Sequence, residues 1–301
     1  MKHEYSVDSD ILISVIIPTY NEQRYIEQCL TSVFAQEGSE KFEVIVVDSS
    51  TDSTRSIICE KFPQVRVIHR DEQMYPGDAR NRAVHVARGK IISFLDGHCL
   101  ADGRWLEYGL RAMRESGCLI VGGALRNANA GNLVSVADFI LAFNEFAEGM
   151  PSRQVKFMPS CNLFCTKEVF EEIGGFDGTL RAGEDTMFCH RAVQKEFRLY
   201  FDARVVVNRF NRDVFGAFMR HHYNFGRYSA QVRKEVRLPG SVFARFPLLA
   251  LVVPVVRSGR IFWRLLRWNR RLLGYFLLTS SLVFLGISGW SWGFMREAFR
   301  R

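Results

Sequence analysis

An aspartate and a histidine follow the apolar run 91–95, which predicts a short buried strand. Asp96 would lie at the carboxyl tip of that strand, with His98 two residues later. Ligands of open α/β sheets bind outside the carboxyl ends of the strands. We therefore expect Asp96 and His98 to contact a ligand phosphate and a divalent ion. The alternative is an ordinary turn at Asp96-Gly97, because Asp-Gly is a common turn dipeptide.

A pair of carboxylates, Glu184 and Asp185, follows a loop that holds four glycines between Gly174 and Gly183. The glycines predict a mobile or tightly bent segment, and the acidic pair then opens a helix through Val193. Carboxylates in the first turn of a helix are stabilised by the helix dipole. A capping role is therefore one interpretation of the pair, and a role in catalysis is the other.

These side chains need a scaffold, and the sequence predicts strands that alternate with helices. The predicted strands cover residues 11–17, 42–47, 65–69 and 91–95. Pro18 ends the first strand, Asn21 can cap the helix that follows, and Asp48 begins the turn after the second strand. Such alternation indicates a parallel α/β sheet with right-handed crossovers. Because neither a Gly-x-Gly-x-x-Gly motif nor a Walker loop occurs, classical dinucleotide-binding and P-loop enzymes are disfavoured.

Charge is distributed unevenly along the 301 residues, whose net charge is +8. Residues 204–301 hold 18 Lys and Arg against 3 Asp and Glu, whereas residues 1–203 hold 22 against 29. A basic segment of this kind indicates an anionic partner, either nucleic acid or an anionic membrane surface. The apolar runs among the arginines favour the membrane, so we expect no nucleic acid partner.

The seven cysteines are scattered, odd in number and without the short paired spacings of zinc sites. We therefore expect reduced thiols in the core of a cytosol-facing protein. The first ten residues carry charges where a signal peptide needs an apolar core. The sequence thus predicts no cleaved export signal.

Several motifs, in this order and spacing, resemble those of the family 2 glycosyltransferases, which are inverting enzymes of the GT-A fold. The motifs are SVIIPTYNE (14–22), VVDSSTDS (46–53), GDARN (77–81), FLDGH (94–98) and GGFD (174–177) leading to GED (183–185). The resemblance spans roughly residues 12–210. It implies an α/β GT-A fold in which helices flank a mostly parallel nucleotide-binding sheet, here followed by C-terminal membrane-associated helices. The expected regions are a catalytic domain over 1–212, a basic connecting helix over 213–240 and a membrane-associated region over 241–301.

The resemblance also implies how a nucleotide is held. Pro18, Tyr20 and Glu22 on the first loop, with Asp48 on the second, would hold the nucleobase. An aromatic face can stack on a base, and a carboxylate can accept a hydrogen bond from a base N–H. Arg80 would complete the nucleotide pocket.

Roles in the reaction follow from the same resemblance. Asp96 matches the first aspartate of the family's Asp-x-Asp motif, which contacts the ribose and a Mg²⁺ or Mn²⁺ ion that bridges the diphosphate. His98 stands where the family usually has an aspartate. It would either ligate the ion, for which an imidazole favours Mn²⁺ over Mg²⁺, or contact phosphate. Asp185 matches the catalytic base, and Glu184 would orient the acceptor or the loop.

The basic C-terminal segment predicts membrane contact. A helix over 214–236 carries His221 and His222, which would either contact a donor or lipid phosphate or, as is more usual, lie on the surface. Residues 242–271 have the tryptophans and arginines of an interfacial or re-entrant segment. Residues 272–295 are uncharged and predict a transmembrane helix. The alternative is a buried hairpin packed on the catalytic domain.

Together these features predict an enzyme that moves one sugar, with inversion, from a nucleotide sugar that is UDP-linked. The Gln-x-x-Arg-Trp motif of processive family members is absent. We expect the acceptor to be a polyprenyl-diphosphate-linked glycan in exopolysaccharide or envelope glycan synthesis. The expected location is the inner (cytoplasmic) membrane, with the catalytic domain facing the cytoplasm. The alternatives are transfer to a polyprenyl monophosphate and a non-catalytic scaffold that binds nucleotide sugar.

Overall fold

The computed structural model describes residues 11–38, 41–236, 238 and 240–300. Residue contacts divide the chain into two compact units. The first unit comprises Met1–Gly123 and Ser152–Val207, and the second comprises Ala124–Pro151 and Asn208–Arg301. The segment 124–151 therefore groups with the C-terminal helices and not with the rest of the catalytic domain expected over 1–212. The reason is that its single helix packs against the long helices near the C-terminus.

Nine strands in the described part of the chain form one mixed sheet. The strands are β1 (Ile13–Thr19), β2 (Phe42–Asp48), β3 (Arg66–His69), β4 (Ile91–Leu95), β5 (Cys99–Ala101), β6 (Ile120–Asn127), β7 (Arg153–Val155), β8 (Asn162–Thr166) and β9 (Leu199–Arg209). Their order in the sheet is β3-β2-β1-β4-β8-β6-β9-β5, with β7 paired to β9.

The first four strands of this order are parallel, which confirms the parallel pairing predicted for this half of the sheet. β8 is antiparallel to both of its neighbours, β4 and β6, so the sheet as a whole is mixed. The register of the parallel half places Thr19 beside Asp48 and Asp48 beside His69. Because parallel strands end at the same edge, the polar tips of β1, β2, β3 and β4 lie side by side.

The helices of the first unit connect and cover these strands. They are α1 (Ile26–Phe34), α2 (Thr54–Lys61), α3 (Pro76–Val86), α4 (Trp105–Ser116), α6 (Lys167–Ile173) and α7 (Glu184–Gln194). Helices on the sheet explain why β1 is mostly apolar: Ile13, Val15, Ile16 and Ile17 are completely buried. Each such side chain contributes about 1.5–3 kcal/mol of hydrophobic free energy relative to an exposed one.

The cysteines are free thiols, and six of the seven are buried; Cys59 is the exposed one. The predicted location in the core is therefore confirmed for these six thiols. Buried cysteines behave as small hydrophobic groups with a weak S–H donor, and Cys29 and Cys189 each donate to a backbone carbonyl at 3.6 Å.

The second unit contains the last residues of β6 and β9, and its other described regular elements are helices. Its helices are α5 (Leu133–Phe143), α8 (Phe215–Glu235), α9 (Ser241–Arg245), a 3-10 helix (Pro247–Val252), α10 (Val253–Trp268), α11 (Arg270–Leu278) and α12 (Ser280–Ala298). α8 and α12 pack closely because each has a glycine at the contact. A Cβ atom on Gly226 would lie 2.0 Å from the Trp290 carbonyl oxygen, and one on Gly293 would lie 2.0 Å from the Tyr223 carbonyl oxygen.

The prediction of one continuous helix over 272–295 is wrong, because the chain bends by 78° between α11 and α12. Thr279 separates the two helices with φ −103° and ψ 14°, and its Oγ1 donates to the Tyr275 carbonyl. A hydroxyl that bonds its own backbone in this way is a common companion of helix bends. Among the described residues, no single helix has the length and apolar character to cross a bilayer, whereas α11 and α12 meet both criteria as a bent pair.

Candidate active site

A single buried arginine joins the carboxylates that the sequence singles out. Arg80, on α3, donates from Nη2 to Asp96 Oδ1 at 2.7 Å and from Nη1 to Glu184 Oε1 at 2.8 Å. Asp96 directly follows β4, and Glu184 is the first residue of α7. Burial opposes the guanidinium charge, but Asp96 and Glu184 outweigh it and hold the pKa of Arg80 above its ordinary value. The ion pairs therefore bring the expected donor-binding residue Asp96 and the acidic pair of α7 into one cluster.

The glycine loop before α7 is tied to α3 by the next residue, Asn81. Its Nδ2 donates to the Phe176 carbonyl at 2.8 Å, and its Oδ1 accepts from the Phe176 N–H at 2.9 Å. Gly77 is required at the same contact, because a Cβ there would lie 2.7 Å from the Asp177 carbonyl oxygen. The motifs at 77–81 and 174–177 are thus two sides of one contact.

Asp185 follows Glu184 in the first turn of α7, and its Oδ1 accepts a hydrogen bond from the Thr186 N–H at 2.7 Å. Burial of the carboxyl group, and after it the negative charge of Glu184, raises the pKa of Asp185 to about 7. Arg80 acts in the opposite direction but does not cancel this effect. A carboxylate with a pKa near neutrality is suited to accept a proton from an attacking hydroxyl group.

His98 contacts a carboxylate that the sequence analysis assigned elsewhere. Its Nδ1 lies 2.9 Å from Glu22 Oε1, so Glu22 bonds the imidazole in this structure. A histidine that donates from Nδ1 to a carboxylate presents its Nε2 lone pair, which is the arrangement of many metal-ligating histidines. The donor set of Asp96 and His98 therefore fits a divalent cation. The excess of Asp96, Glu184 and Asp185 over the single charge of Arg80 favours such an ion.

The residues expected to hold a nucleobase differ in exposure. Tyr20 is exposed and Pro18 half-buried, whereas the Asp48 side chain is completely buried. Asp48 accepts hydrogen bonds from the hydroxyls of Thr19 (2.9 Å) and Ser50 (2.6 Å), and its Oδ2 lies 2.9 Å from His69 Nδ1. Asp48 thus connects the carboxyl ends of β1, β2 and β3 through hydrogen bonds in this structure.

Sequence reasoning missed His69, whose ring is one-fifth exposed beside Asp48. The available signal was its position at the end of the predicted strand 65–69, which places it at the same sheet edge as Asp48 and Asp96. The Nε2 atom of His69 lies 3.3 Å from Oδ1 of Asp71, so the imidazole connects the buried Asp48 to an exposed carboxylate at that edge.

Asn21 does not cap a helix, contrary to the sequence-based prediction. It adopts a left-handed conformation with φ 58°, which asparagine tolerates better than most residues. Its N–H donates to Ser50 Oγ, and its Oδ1 accepts from the Thr51 N–H. Asn21 therefore joins the loops after β1 and β2, and α1 begins only at Ile26.

The adjacent histidines of α8, His221 and His222, differ in burial. His222 is buried, and its Nε2 lies 2.9 Å from Oδ1 of the buried Asp138. Arg212 donates to the other oxygen of Asp138 from both its backbone N–H and its guanidinium. The expectation that His222 lies on the surface is wrong, because this buried carboxylate holds the imidazole. His221 is half-buried.

Known proteins that are similar to this chain are glycosyltransferases. Residues 14–174, more than half of the chain, match the family described as Glycosyl transferase family 2. The glycosyltransferase AglE of Haloferax volcanii is 31% identical over 227 residues, covering 73% of each chain. A Methanococcus voltae protein named dolichyl N-acetyl-alpha-D-glucosaminyl phosphate 3-beta-D-2,3-diacetamido-2,3-dideoxy-beta-D-glucuronosyltransferase is 26% identical over 234 residues, covering 71% of each chain.

Solved structures share the fold. A mannosyltransferase from Pyrobaculum calidifontis, in complex with GDP-Man and Mn²⁺, has a TM-score of 0.58 at 20% identity, covering 98% of this chain and 88% of that one. The S. aureus protein TarS in complex with UDP-GlcNAc has a TM-score of 0.56 at 17% identity, covering 96% and 92%. The GT-A-like α/β fold expected from the motifs is confirmed. The chain is a glycosyltransferase and belongs to glycosyl transferase family 2.

Proposed function

We propose that the protein transfers a single sugar, with inversion, from a UDP-sugar to a lipid-linked glycan. The observation that carries the proposal is the position of Asp185, a carboxylate with a raised pKa beside the Arg80 cluster. The relative named for a dolichyl phosphate substrate supports a lipid carrier. The structural neighbour that binds UDP-GlcNAc supports a UDP donor. A lipid carrier and a UDP-sugar donor are both consistent with a role in exopolysaccharide or envelope glycan synthesis.

The residues divide the work of an inverting displacement. Asp185 accepts the proton of the acceptor hydroxyl as its oxygen attacks the anomeric carbon. The bond between that carbon and the donor phosphate then breaks, and the nucleoside diphosphate leaves with the electron pair. Glu184 accepts from Arg80, which holds the start of α7 and hence Asp185 in place. A general base placed in this way contributes about 10²–10⁴-fold to the rate.

Asp96 and His98 would hold the divalent ion, and Glu22 would orient the imidazole. A bound Mn²⁺ or Mg²⁺ supplies charge neutralisation to the departing diphosphate. Carboxylates suit both ions, whereas an imidazole ligand favours Mn²⁺. We therefore propose Mn²⁺ as the preferred ion of this chain.

We further propose that the protein lies on the cytoplasmic face of the inner membrane, with its catalytic residues in the cytoplasm. The support is an exposed apolar surface on the 3-10 helix and α10. Leu248, Leu251, Val255 and Trp263 on these helices are each more than 60% exposed. Arg260 is exposed on the same helix as Trp263. Exposed apolar residues among arginines are typical of helices that lie in an anionic bilayer surface.

Asp185→Asn should lower the rate of sugar transfer by about 10²–10⁴-fold, because it removes the proton acceptor. Affinity for UDP, measured by calorimetry in Mn²⁺, should stay within about twofold. The reason is that Asp185 acts on the hydroxyl group of the acceptor, which is not part of UDP. The matched control is Glu172→Gln on the exposed side of α6, which should leave both unchanged. Retained transfer in Asp185→Asn would remove Asp185 from the role of base. UDP binding without transfer by the unmodified chain would favour the scaffold alternative.

The transfer rate should rise with pH up to about 7 and then level, because Asp185 must be ionised to accept a proton. Glu184→Gln removes a negative charge that raises the pKa of Asp185, so its pKa should fall. The acidic limb of the kcat profile should therefore move to lower pH in this variant, whatever its maximal rate. A limb that stays in place or moves to higher pH would contradict the assignment.

His98→Asp should change the choice of ion, because it replaces an imidazole by a carboxylate that suits Mg²⁺. The ratio of kcat/KM in Mn²⁺ to kcat/KM in Mg²⁺ should fall by about tenfold or more. Glu22→Gln keeps His98 and should weaken Mn²⁺ binding by about 10–100-fold through loss of orientation. An unchanged ratio in His98→Asp would show that His98 does not contact the ion.

The full chain should co-sediment with vesicles that contain phosphatidylglycerol and should bind neutral phosphatidylcholine vesicles much more weakly. Val255→Glu should lower the bound fraction by about tenfold, because burial of one such side chain contributes about 1.5–3 kcal/mol. Leu119→Glu is the matched control, since Leu119 is an exposed apolar residue of the first unit. Equal losses of vesicle binding in the two variants, or equal binding to both kinds of vesicle, would contradict the proposal that this surface binds the membrane.

A further inference from the structure

Two thiols lie beside Asp96, the residue expected to contact the donor-bound ion. The Sγ atoms of Cys99 and Cys161 and a carboxylate oxygen of Asp96 all lie within 4.8 Å of one another. Cys99 is brought there by a turn in which its N–H donates to the Asp96 carbonyl at 3.0 Å. Cys161 is brought there by sheet pairing, since the next residue, Asn162, lies opposite Leu95 at the end of β4. A local turn thus joins Asp96 to Cys99, and strand register adds Cys161 from a distant part of the chain.

Two thiols and a carboxylate are a ligand set for thiophilic divalent cations. Thiolate ligands select Zn²⁺ and related soft ions, whereas Mg²⁺ takes oxygen ligands. A tetrahedral Zn²⁺ site has Zn–S bonds of about 2.3 Å and Zn–O bonds of about 2.0–2.2 Å, so its ligand atoms lie roughly 3.5–3.8 Å apart. A separation of 4.8 Å or less therefore requires at most about 1.3 Å of closure. Three protein ligands leave a fourth position open to water or phosphate.

The surroundings favour a cation and leave a route to it. Asp96, Glu184 and Asp185 are grouped around the single positive charge of Arg80. Cys99 and Cys161 are buried, but the Asp96 side chain keeps 18% of its exposure. An ion can thus reach the thiols from the Asp96 side. The simpler alternative is that both thiols only fill core space, as buried cysteines usually do.

We propose that Asp96, Cys99 and Cys161 form a binding site for a thiophilic divalent cation such as Zn²⁺ or Cd²⁺. An ion bound there engages Asp96 and withdraws it from the ion that accompanies the nucleotide sugar. An ion at this site would then inhibit the enzyme. The inhibitory effect rests on the proposed function, whereas the binding site itself does not.

Cadmium alone tests the site, because cadmium bound to thiolates absorbs in the ultraviolet. The full chain, kept reduced, is titrated with Cd²⁺, and absorption and bound metal are measured together. We expect one Cd²⁺ per chain with thiolate absorption. Cys161→Ala leaves one thiolate ligand, Cys99, so it should lower the absorption per bound Cd²⁺ by about half and weaken binding by about tenfold or more. Cys161→Ser is the second variant, and thermal unfolding identifies which of the two is folded.

Two cysteines outside the site serve as matched controls. Cys118→Ala removes a buried thiol, and Cys59→Ser removes the exposed one. Both variants should keep the absorption and the affinity of the unmodified chain. Absorption and affinity that are unchanged in the folded Cys161 variant, or absorption that disappears in Cys59→Ser, would overturn the proposed ligands. A chain that binds no Cd²⁺ would overturn the site.

A second measurement tests the link to the donor. Affinity for UDP in Mn²⁺ is measured by calorimetry with and without one equivalent of Cd²⁺. Cadmium should weaken UDP binding by about tenfold in the unmodified chain and leave it unchanged in the Cys161 variant. Unchanged affinity in both would refute the withdrawal of Asp96. A chain that binds Cd²⁺ through its thiols but never binds UDP would refute the proposed function and leave the cation site standing.

Discussion

The structure of the first unit depends on one buried guanidinium, that of Arg80, and on the carboxylates that neutralise it. An arginine buried to this degree needs partners, because removing one side of a buried ion pair costs about 3–5 kcal/mol. Asp96 at the tip of β4 and Glu184 at the start of α7 are those partners. The requirement to neutralise Arg80 therefore fixes a sheet edge and a helix N-terminus at one point.

The same arrangement separates the roles of neighbouring acids. Arg80 bonds Asp96 and Glu184 directly, which keeps their charges paired. Asp185 has no such bond to Arg80 among the hydrogen bonds of the described residues, and burial beside Glu184 raises its pKa to about 7. One positive charge among three carboxylates thus gives two paired anions and one proton acceptor. The remaining negative charge is what a divalent cation would neutralise.

The sequence predicts the parallel half of the sheet and the residues at its edge, because alternating strands and helices leave few topologies open. It does not predict side-chain partners, which depend on three-dimensional contacts. The buried Asp48 carboxylate contacts His69, and Glu22 contacts His98. Both contacts form because adjacent strands of the sheet bring together residues that are far apart in the sequence. The antiparallel direction of β8 and the bend at Thr279 are not predicted, for a related reason. Strand direction and helix bending follow from packing against elements that are distant in the sequence.

The central claim is that Asp185 drives an inverting displacement at the site organised by Arg80. The most direct test is the anomeric configuration of the sugar in the product, measured by NMR after transfer from a UDP-sugar to lipid acceptors extracted from membranes. A single displacement predicts the configuration opposite to that of the donor. A product with the donor's own configuration would contradict the account, because two displacements or a front-side mechanism would then be required.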